Sequence, residues 1–417
     1  MRGRGRMTER RMTTDALRLG MYVSRLDRPW VETPFLFQGF ILEREEDLQT
    51  LRSLCREVVV DAERSRVHVP EAAGARRRPE PARTSKPVFR EAVQAAARAR
   101  GRGHRLVKRL FQDIRLGRSI DTEEAQAVVA EMVDNITRDA DASLWITNLK
   151  NRDEYTSLHC LNVCVLTLAY CRHLGYERDE LERIGLGALL HDVGKARVPK
   201  EILNKPGRLS DEEFAVMKRH TVDGYEMLSG SGKLSDLTLR IVRSHHERVG
   251  GQGYPDGLAG SDIPEPVLAV GIADAYDALT SDRPYKDGLA AEKALGILHK
   301  EAPREFGAEL MEGFIRCVGI YPIGSLVELD SGALGLVISA EPTHRLFPRV
   351  LLVRSPNGQT MQERRILDLA ARQETARVRR VVQPRDTGVD VQAVMLMESG
   401  LARAGSLPVD LPGTDDQ

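Results

Sequence analysis

Leu181-Glu-Arg-Ile-Gly-Leu-Gly-Ala-Leu-Leu-His-Asp-Val-Gly-Lys195 is the stretch on which the fold of this chain turns. Leu181, Ile184, Leu186, Leu189 and Leu190 recur at helical spacing and predict a helix with one buried stripe. The stripe runs directly into His191 and Asp192, and Gly194 is expected to stop the helix there. An imidazole beside a carboxylate at the mouth of a buried helix suits a divalent cation, provided that other ligands converge on it.

Such ligands follow in order: His159, the pair His191-Asp192, His220, the pair His245-His246, and Asp274. Five of the ten histidines belong to this set. A lone member such as His159 among apolar neighbours reads as a hydrogen-bonded core histidine, whereas seven together point to iron, manganese, nickel or zinc. Each sits at or near the end of a helix-periodic segment. Ser210 is an N-cap for a helix opening at Asp211 and closing at His220 before Gly224. Leu234 to His246 repeats the pattern, with Leu237, Leu239, Ile241 and Val242 inside. Pro266 opens the next helix, and Asp274 falls about two turns in, with Asp277 on nearly the same face. An aspartate has two oxygens and can bridge two cations. Two cations roughly 3.5–4 Å apart can share a hydroxide and clamp a phosphate ester, which suits phosphodiester hydrolysis.

These residues resemble the HD-GYP domain, the subgroup of HD phosphohydrolases that hydrolyses cyclic di-GMP. The resemblance is carried by Asp153-Glu-Tyr-Thr-Ser-Leu-His159, Leu189-Leu-His-Asp-Val-Gly-Lys195, Ile202-Leu-Asn-Lys-Pro-Gly207 after Pro199, and Met217-Lys-Arg-His220. It continues through His245-His-Glu-Arg248, Gly253-Tyr-Pro255 and Ala273-Asp-Ala-Tyr-Asp-Ala-Leu-Thr-Ser-Asp-Arg-Pro-Tyr285. Together these span about 150 to 320 in order, which one short motif would not do.

The resemblance implies that His159, His191, Asp192, His220, His245, His246 and Asp274 hold metal, with Asp192 as the bridge. It implies two divalent ions, iron or manganese. Lys195 would approach the scissile phosphate, to offset negative charge or protonate the leaving 3′ oxygen. Arg283 and Lys286 would grip the phosphates of cyclic di-GMP, and Tyr254 would lie near the nucleotide. The implied reaction is attack by a metal-bridging hydroxide that opens cyclic di-GMP to pGpG, with further cleavage to GMP as an extension. Two departures stand out. A glutamate that holds a third metal in some members is replaced by Tyr155, which favours a binuclear site. The loop before the signature triplet, usually carrying Trp, Asp and Ser, reads Val249-Gly-Gly-Gln252, and its glycines predict a more mobile segment. The alternatives are a non-catalytic cyclic di-GMP receptor and an HD hydrolase acting on another nucleotide.

The remaining composition excludes several classes. Lysine plus arginine and aspartate plus glutamate number 61 each in 417 residues, so no net field draws the chain to a nucleic acid polymer or an anionic membrane. No apolar run reaches the ~18 residues of a membrane helix. The N-terminal Met1-Arg-Gly-Arg-Gly-Arg6 lacks the apolar core of a signal peptide and reads as a solvated tail, so a cytoplasmic location is expected. Five cysteines without framework spacing read as reduced thiols. Cys160 and Cys164, one turn apart beside His159, read as packing residues and not as a thiolate zinc site.

The expected class is mainly α: an HD-type helical bundle at 151–320, preceded by a small α/β or β-rich domain at 1–70 and followed by a β-rich segment at 321–380. The first domain carries strand-like runs at Leu19–Val23, Phe35–Phe37, Phe40–Leu42 and Val58–Asp61 with a helix from Glu45. It resembles a small domain of unassigned role that often precedes HD-GYP domains. It reads as a regulatory or dimer-forming module, open to homodimerisation or a signalling partner, against the alternative of a structural cap. Residues 71–87 read as an exposed linker and 88–150 as connecting helices interrupted near Gly101 and Gly117, with the longest beginning at Asp121. Strands are expected at Ser325–Leu329, Gly335–Ile338 and Val350–Val353, with Asp330-Ser-Gly332 as a turn. Residues 381–417 read as a flexible tail.

Overall fold

The computed structural model describes residues 9–26, 39–42, 44–55, 57–62, 64–67, 69, 86–118, 121–149, 155–230, 232–281, 288–339, 347–361, 365–371 and 374–401. The chain divides into two compact units, Met1–Arg83 and Thr84–Gln417.

In the first unit, strands β1 (Glu9–Thr13), β2 (Tyr22–Leu26) and β3 (Phe40–Ile41), helix α1 (Glu45–Leu54) and strand β4 (Glu57–Asp61) form a sheet of order β1-β4-β2-β3. All its pairings are antiparallel. Val23, Val58 and Val60 on the sheet pack against Leu48 and Leu51 of α1, giving this unit its own core. Strand β1 was absent from the sequence expectation, because its Glu-Arg-Arg run lacks apolar alternation and its order comes from pairing with β4. Phe35–Phe37 and most of the 71–87 linker lie outside the described residues.

The second unit opens with α2 (Lys86–Arg115), α3 (Thr122–Arg138) and α4 (Ala140–Thr147). Helix α2 is the longest of the described helices at 30 residues, and it runs through Gly101 without a break. A mid-helix glycine costs about 1 kcal/mol, a penalty that tertiary packing overrides. The neighbouring Gly103 shows the packing at work: a Cβ there would lie 2.5 Å from Leu161 Cδ2. Gly117, at φ +71°, does end the segment. Asp121 caps α3 by accepting from the Glu123 and Glu124 amides, but that helix has 17 residues and is not the longest.

The bundle continues with α5 (Tyr155–Leu174), α6 (Arg178–Leu190), α7 (Lys200–Leu203), α8 (Asp211–Lys218), α9 (His220–Ser229), α10 (Asp236–Ser244), α11 (Glu265–Thr280), α12 (Ala291–Glu305) and α13 (Ala308–Val318). Helix α5 is buried along its middle, with Leu161, Leu168, Tyr170 and Cys171 inaccessible. None of the five cysteines forms a disulfide; Cys164 donates its thiol to the Gly185 carbonyl and packs as a small apolar residue.

Strands β5 (Leu326–Leu329), β6 (Leu334–Ser339), β7 (Arg349–Arg354), β8 (Ile366–Asp368) and β9 (Val378–Val381) form an antiparallel sheet of order β8-β7-β6-β5-β9. Two short helices follow, α14 (Pro384–Thr387) and α15 (Val391–Ser399). The tail expected from 381 is therefore corrected as far as 401, while 402–417 lie outside the described residues. Asp390 caps α15 through the Ala393 amide, Gly400 closes it at φ +70°, and Val391, Val394 and Met395 enter the main core. That core is continuous from Val93 and Leu106 through Trp145 and Leu161 to Met395.

Candidate metal centre

Helix α6 ends at Leu190, so His191 is its C-cap and Asp192 precedes a tight 3-10 turn at Val193–Arg197. Gly194 is not the helix stop expected from the sequence, and Gly224 lies within α9. A Cβ on Gly194 would lie 1.9 Å from the His220 carbonyl oxygen and 2.7 Å from the Gly224 nitrogen, so both glycines allow α9 to press against the turn. Helix α8, capped by a reciprocal Ser210–Glu213 box, ends at Lys218, and His220 begins α9. His245 is the C-cap of α10, His159 rises from α5, and Asp274 and Asp277 lie on α11.

Four imidazole Nε2 atoms surround the Asp192 carboxylate in two pairs. His191 and His159 lie 3.4 and 3.7 Å from Oδ2, while His220 and His245 lie 3.4 and 4.0 Å from Oδ1. Asp274 spans both sides, with Oδ1 3.1 Å from His159 Nε2 and Oδ2 3.8 Å from His246 Nδ1. Donor atoms of His159, His191 and Asp192 cluster within 4.8 Å of one another, as do those of Asp192, His220, His245 and His246. The structure thus brings all seven sequence-chosen side chains into one buried constellation, and Asp192 belongs to both clusters.

Outer contacts aim these rings. The Nδ1 atoms of His191, His220 and His245 lie 2.7, 2.8 and 3.0 Å from the carbonyls of Ala188, Met217 and Val242, one turn back on their own chain. A ring whose Nδ1–H donates outward presents the Nε2 lone pair inward, the form that ligates metal. Burial reinforces this by pushing His220 down to about 4 and His245 and His246 well below the usual imidazole range. Burial opposes ionisation of Asp192, yet Lys195 and His191 outweigh it and hold the carboxyl well below the usual range. His159 differs: burial lowers it, but Asp274 and Asp277 prevail and lift it to about 10, so a cation taken at Nε2 would displace a proton. Fit to a cation rests on two atoms in particular. His191 Nε2 and Asp192 Oδ1 are buried with no protein hydrogen-bond partner among the described residues, a costly state that coordination relieves.

Family models locate this constellation. One described as an HD domain matches residues 140–310, and one described as a domain of unknown function matches 9–125. A Pseudomonas aeruginosa protein named cyclic di-GMP phosphodiesterase is 37% identical over 381 residues, 88% of this chain and 91% of its own. The chain belongs to the HD-GYP family. A Xanthomonas campestris response regulator named cyclic di-GMP phosphodiesterase is 38% identical over 169 residues, covering 40% of this chain and 45% of that one. Among solved structures, an HDGYP protein of Bdellovibrio bacteriovorus is 18% identical with a TM-score of 0.45, covering 73% of this chain and 98% of its own.

In this HD-GYP chain the signature triplet forms one wall of the centre. The Tyr254 ring stacks on His246 at 4.7 Å and meets Phe214 edge-on at 6.2 Å. Lys195 donates from Nζ to Asp192 Oδ2 at 2.5 Å, placing an ammonium at the edge of the cluster. Arg283, Lys286 and the side chain of Tyr155 lie outside the described residues. The loop at Val249–Gln252, expected to be mobile, is tied down by its backbone. Val249 and Gly250 donate to the Glu305 and Arg304 carbonyls at 3.2 and 2.9 Å, and the Gly260 amide donates to Val249. Glycine serves close approach here, since a Cβ on Gly250 would lie 3.1 Å from the Arg304 oxygen.

Two residues outside the expected site set have structural roles, Glu247 and Asp277, of which only Asp277 was noted in the sequence, for its place beside Asp274. Glu247 is buried, and its carboxylate accepts from the amides of Asp256, Gly257 and Leu258 at 2.7, 3.1 and 3.0 Å, which clamps the chain just after Tyr254-Pro255. Asp277 lies 2.7 Å from His159 Nδ1 and accepts from Asn162 at 2.9 Å and Ser281 at 3.2 Å. Its spacing of three from Asp274 on one helix was the available signal.

Among the described residues no helix is long and apolar enough to cross a membrane.

Proposed function

We propose that this protein hydrolyses cyclic di-GMP, opening one phosphodiester to give pGpG and, more slowly, GMP. The observation that carries the reading is the single Asp192 carboxylate with two imidazoles facing each of its oxygens. The complement proposed is two divalent cations, iron or manganese, which when bound would place Lewis-acid charge against the phosphate and acidify a water. His159, His191 and Asp192 would hold one, and Asp192, His220, His245 and His246 the other, with Asp274 beside both sets.

The chain's own residues do the rest. Lys195, already fixed beside Asp192, can neutralise charge on the phosphate or give its proton to the departing 3′ oxygen. Tyr254, stacked on His246, offers a flat face near the cluster for a base or ribose. Arg283 and Lys286 are assigned to the substrate phosphates, where an arginine fork and an ammonium would fix the in-line geometry. The N-terminal unit is assigned a regulatory role, through self-association or a signalling partner.

The test is Asp192→Ala, loaded anaerobically with iron or manganese and assayed by product chromatography against cyclic dinucleotides and guanosine polyphosphates. Loss of pGpG formation together with loss of bound metal is expected. Turnover unchanged by that substitution, or wild-type protein that binds cyclic di-GMP and releases no product after loading, would overturn the reading.

A further inference from the structure

Away from the metal centre, α2, α3, α4 and α5 form a cavity of about 20 Å³ whose wall includes Arg100, Asn135 and Asn162. All three are buried, at 4%, 7% and 5% exposure. Arg100 Nη2 donates to the Leu149 carbonyl at 2.8 Å, but among the described residues Nε and Nη1 have no partner, and neither has Asn135 Nδ2. Asn162 points its Nδ2 at Asp277 and leaves Oδ1 unpartnered.

A guanidinium has five N–H donors and does not shed its proton at neutral pH, so a buried one must find acceptors and compensating charge. Among the described residues no carboxylate lines this cavity. Burial lowers the Arg100 guanidinium to about 10, and Asp277 is the acid that opposes the shift. The Leu149 carbonyl satisfies one donor and supplies only a dipole. Three unpartnered N–H-bearing atoms on two helices thus line a space larger than the roughly 10–15 Å³ that one water requires. A single water can accept from two of those donors, but brings no counter-charge to the guanidinium.

We infer that this cavity is a binding site for a small inorganic monoanion of halide size, held by Arg100 and Asn135. The occupant completes the hydrogen bonding of Arg100 and neutralises it within the bundle. Through Asn162, which donates to Asp277, which in turn contacts His159, the site adjoins the support of the metal centre. The inference stands on the cavity alone and is independent of the proposed substrate.

The full-length protein tests it in two ways. Thermal melts at constant ionic strength, with bromide replacing gluconate, are expected to show a saturable rise of about 2–4 °C, lost in Arg100→Met. An equal rise in both proteins, or none in the wild type, overturns the site. Crystals of the wild-type protein grown in bromide are expected to show an anomalous peak between Arg100 and Asn135, and this decides the matter if Arg100→Met does not fold. A fully occupied water there with no anomalous signal overturns the inference.

Discussion

Replacing Glu247 by glutamine keeps the shape of the side chain and removes its charge. The wild-type carboxylate accepts three backbone amides, two on Oε1 and one on Oε2. Glutamine retains one acceptor, which serves Asp256 and Gly257, and turns an N–H toward the Leu258 amide. Losing charge assistance on two bonds costs about 1 kcal/mol, and a buried amide left facing a donor costs about 1–3 kcal/mol. The sum, about 2–4 kcal/mol, is charged to the segment after Tyr254-Pro255, whose opening should become roughly 30- to 700-fold more frequent. Native-state hydrogen exchange reads this directly as faster exchange of the 256–258 amides, with α5 and α6 unchanged. The substrate KM should rise more than kcat falls, since the metal ligands keep their places. Unaltered exchange at 256–258 in Glu247→Gln would refute the clamp.

Gly194→Ala would drive a methyl to 1.9 Å from the His220 carbonyl, so α9 must retreat; a loss of about 1–3 kcal/mol in urea unfolding and a drop in bound metal are expected. Asp277→Asn removes the carboxylate behind His159 and should weaken metal retention about 10- to 100-fold in chelator competition, with the melting profile little changed. Below pH 6.5 the unfolded chain takes up protons at His220, His245 and His246 that the folded chain refuses, since their folded values are lowered. Metal-stripped protein should therefore lose stability as pH falls from about 6.5 toward 4. His159 acts the other way, its contribution being present below 6.5 and lost as pH rises toward 10. A higher urea midpoint at pH 5 than at pH 7 would contradict this balance.

The metal cluster was legible because its chemistry sits in scarce residue types at helix ends, and a helix end is something apolar periodicity locates. What escaped was set by packing between distant segments. Glu247 reads as an ordinary charge after two histidines, and only the returning chain at 256–258 turns it into a clamp. Gly194 reads as a helix stop because sequence carries no trace of the second helix that it admits. Composition averaged over 381–417 suggested looseness and masked Val391, Val394 and Met395, whose spacing together with Asp390 and Gly400 marks a capped amphipathic helix. Gly101 is the converse case: its local propensity favours a break, and packing by its neighbours holds the helix together.

Helix α15 ends against the opening turns of α2: Arg90 donates to the Glu398 carbonyl at 3.2 Å, and Gln94 to that of Ser399 at 3.5 Å. The first and last described helices of the larger unit are thus neighbours, though some three hundred positions separate the paired residues along the polypeptide. A body with adjoining ends can be spliced into another chain, or reopened at a different loop, without pulling its bundle apart. Joining the two ends and cutting elsewhere should leave the histidine cluster in register.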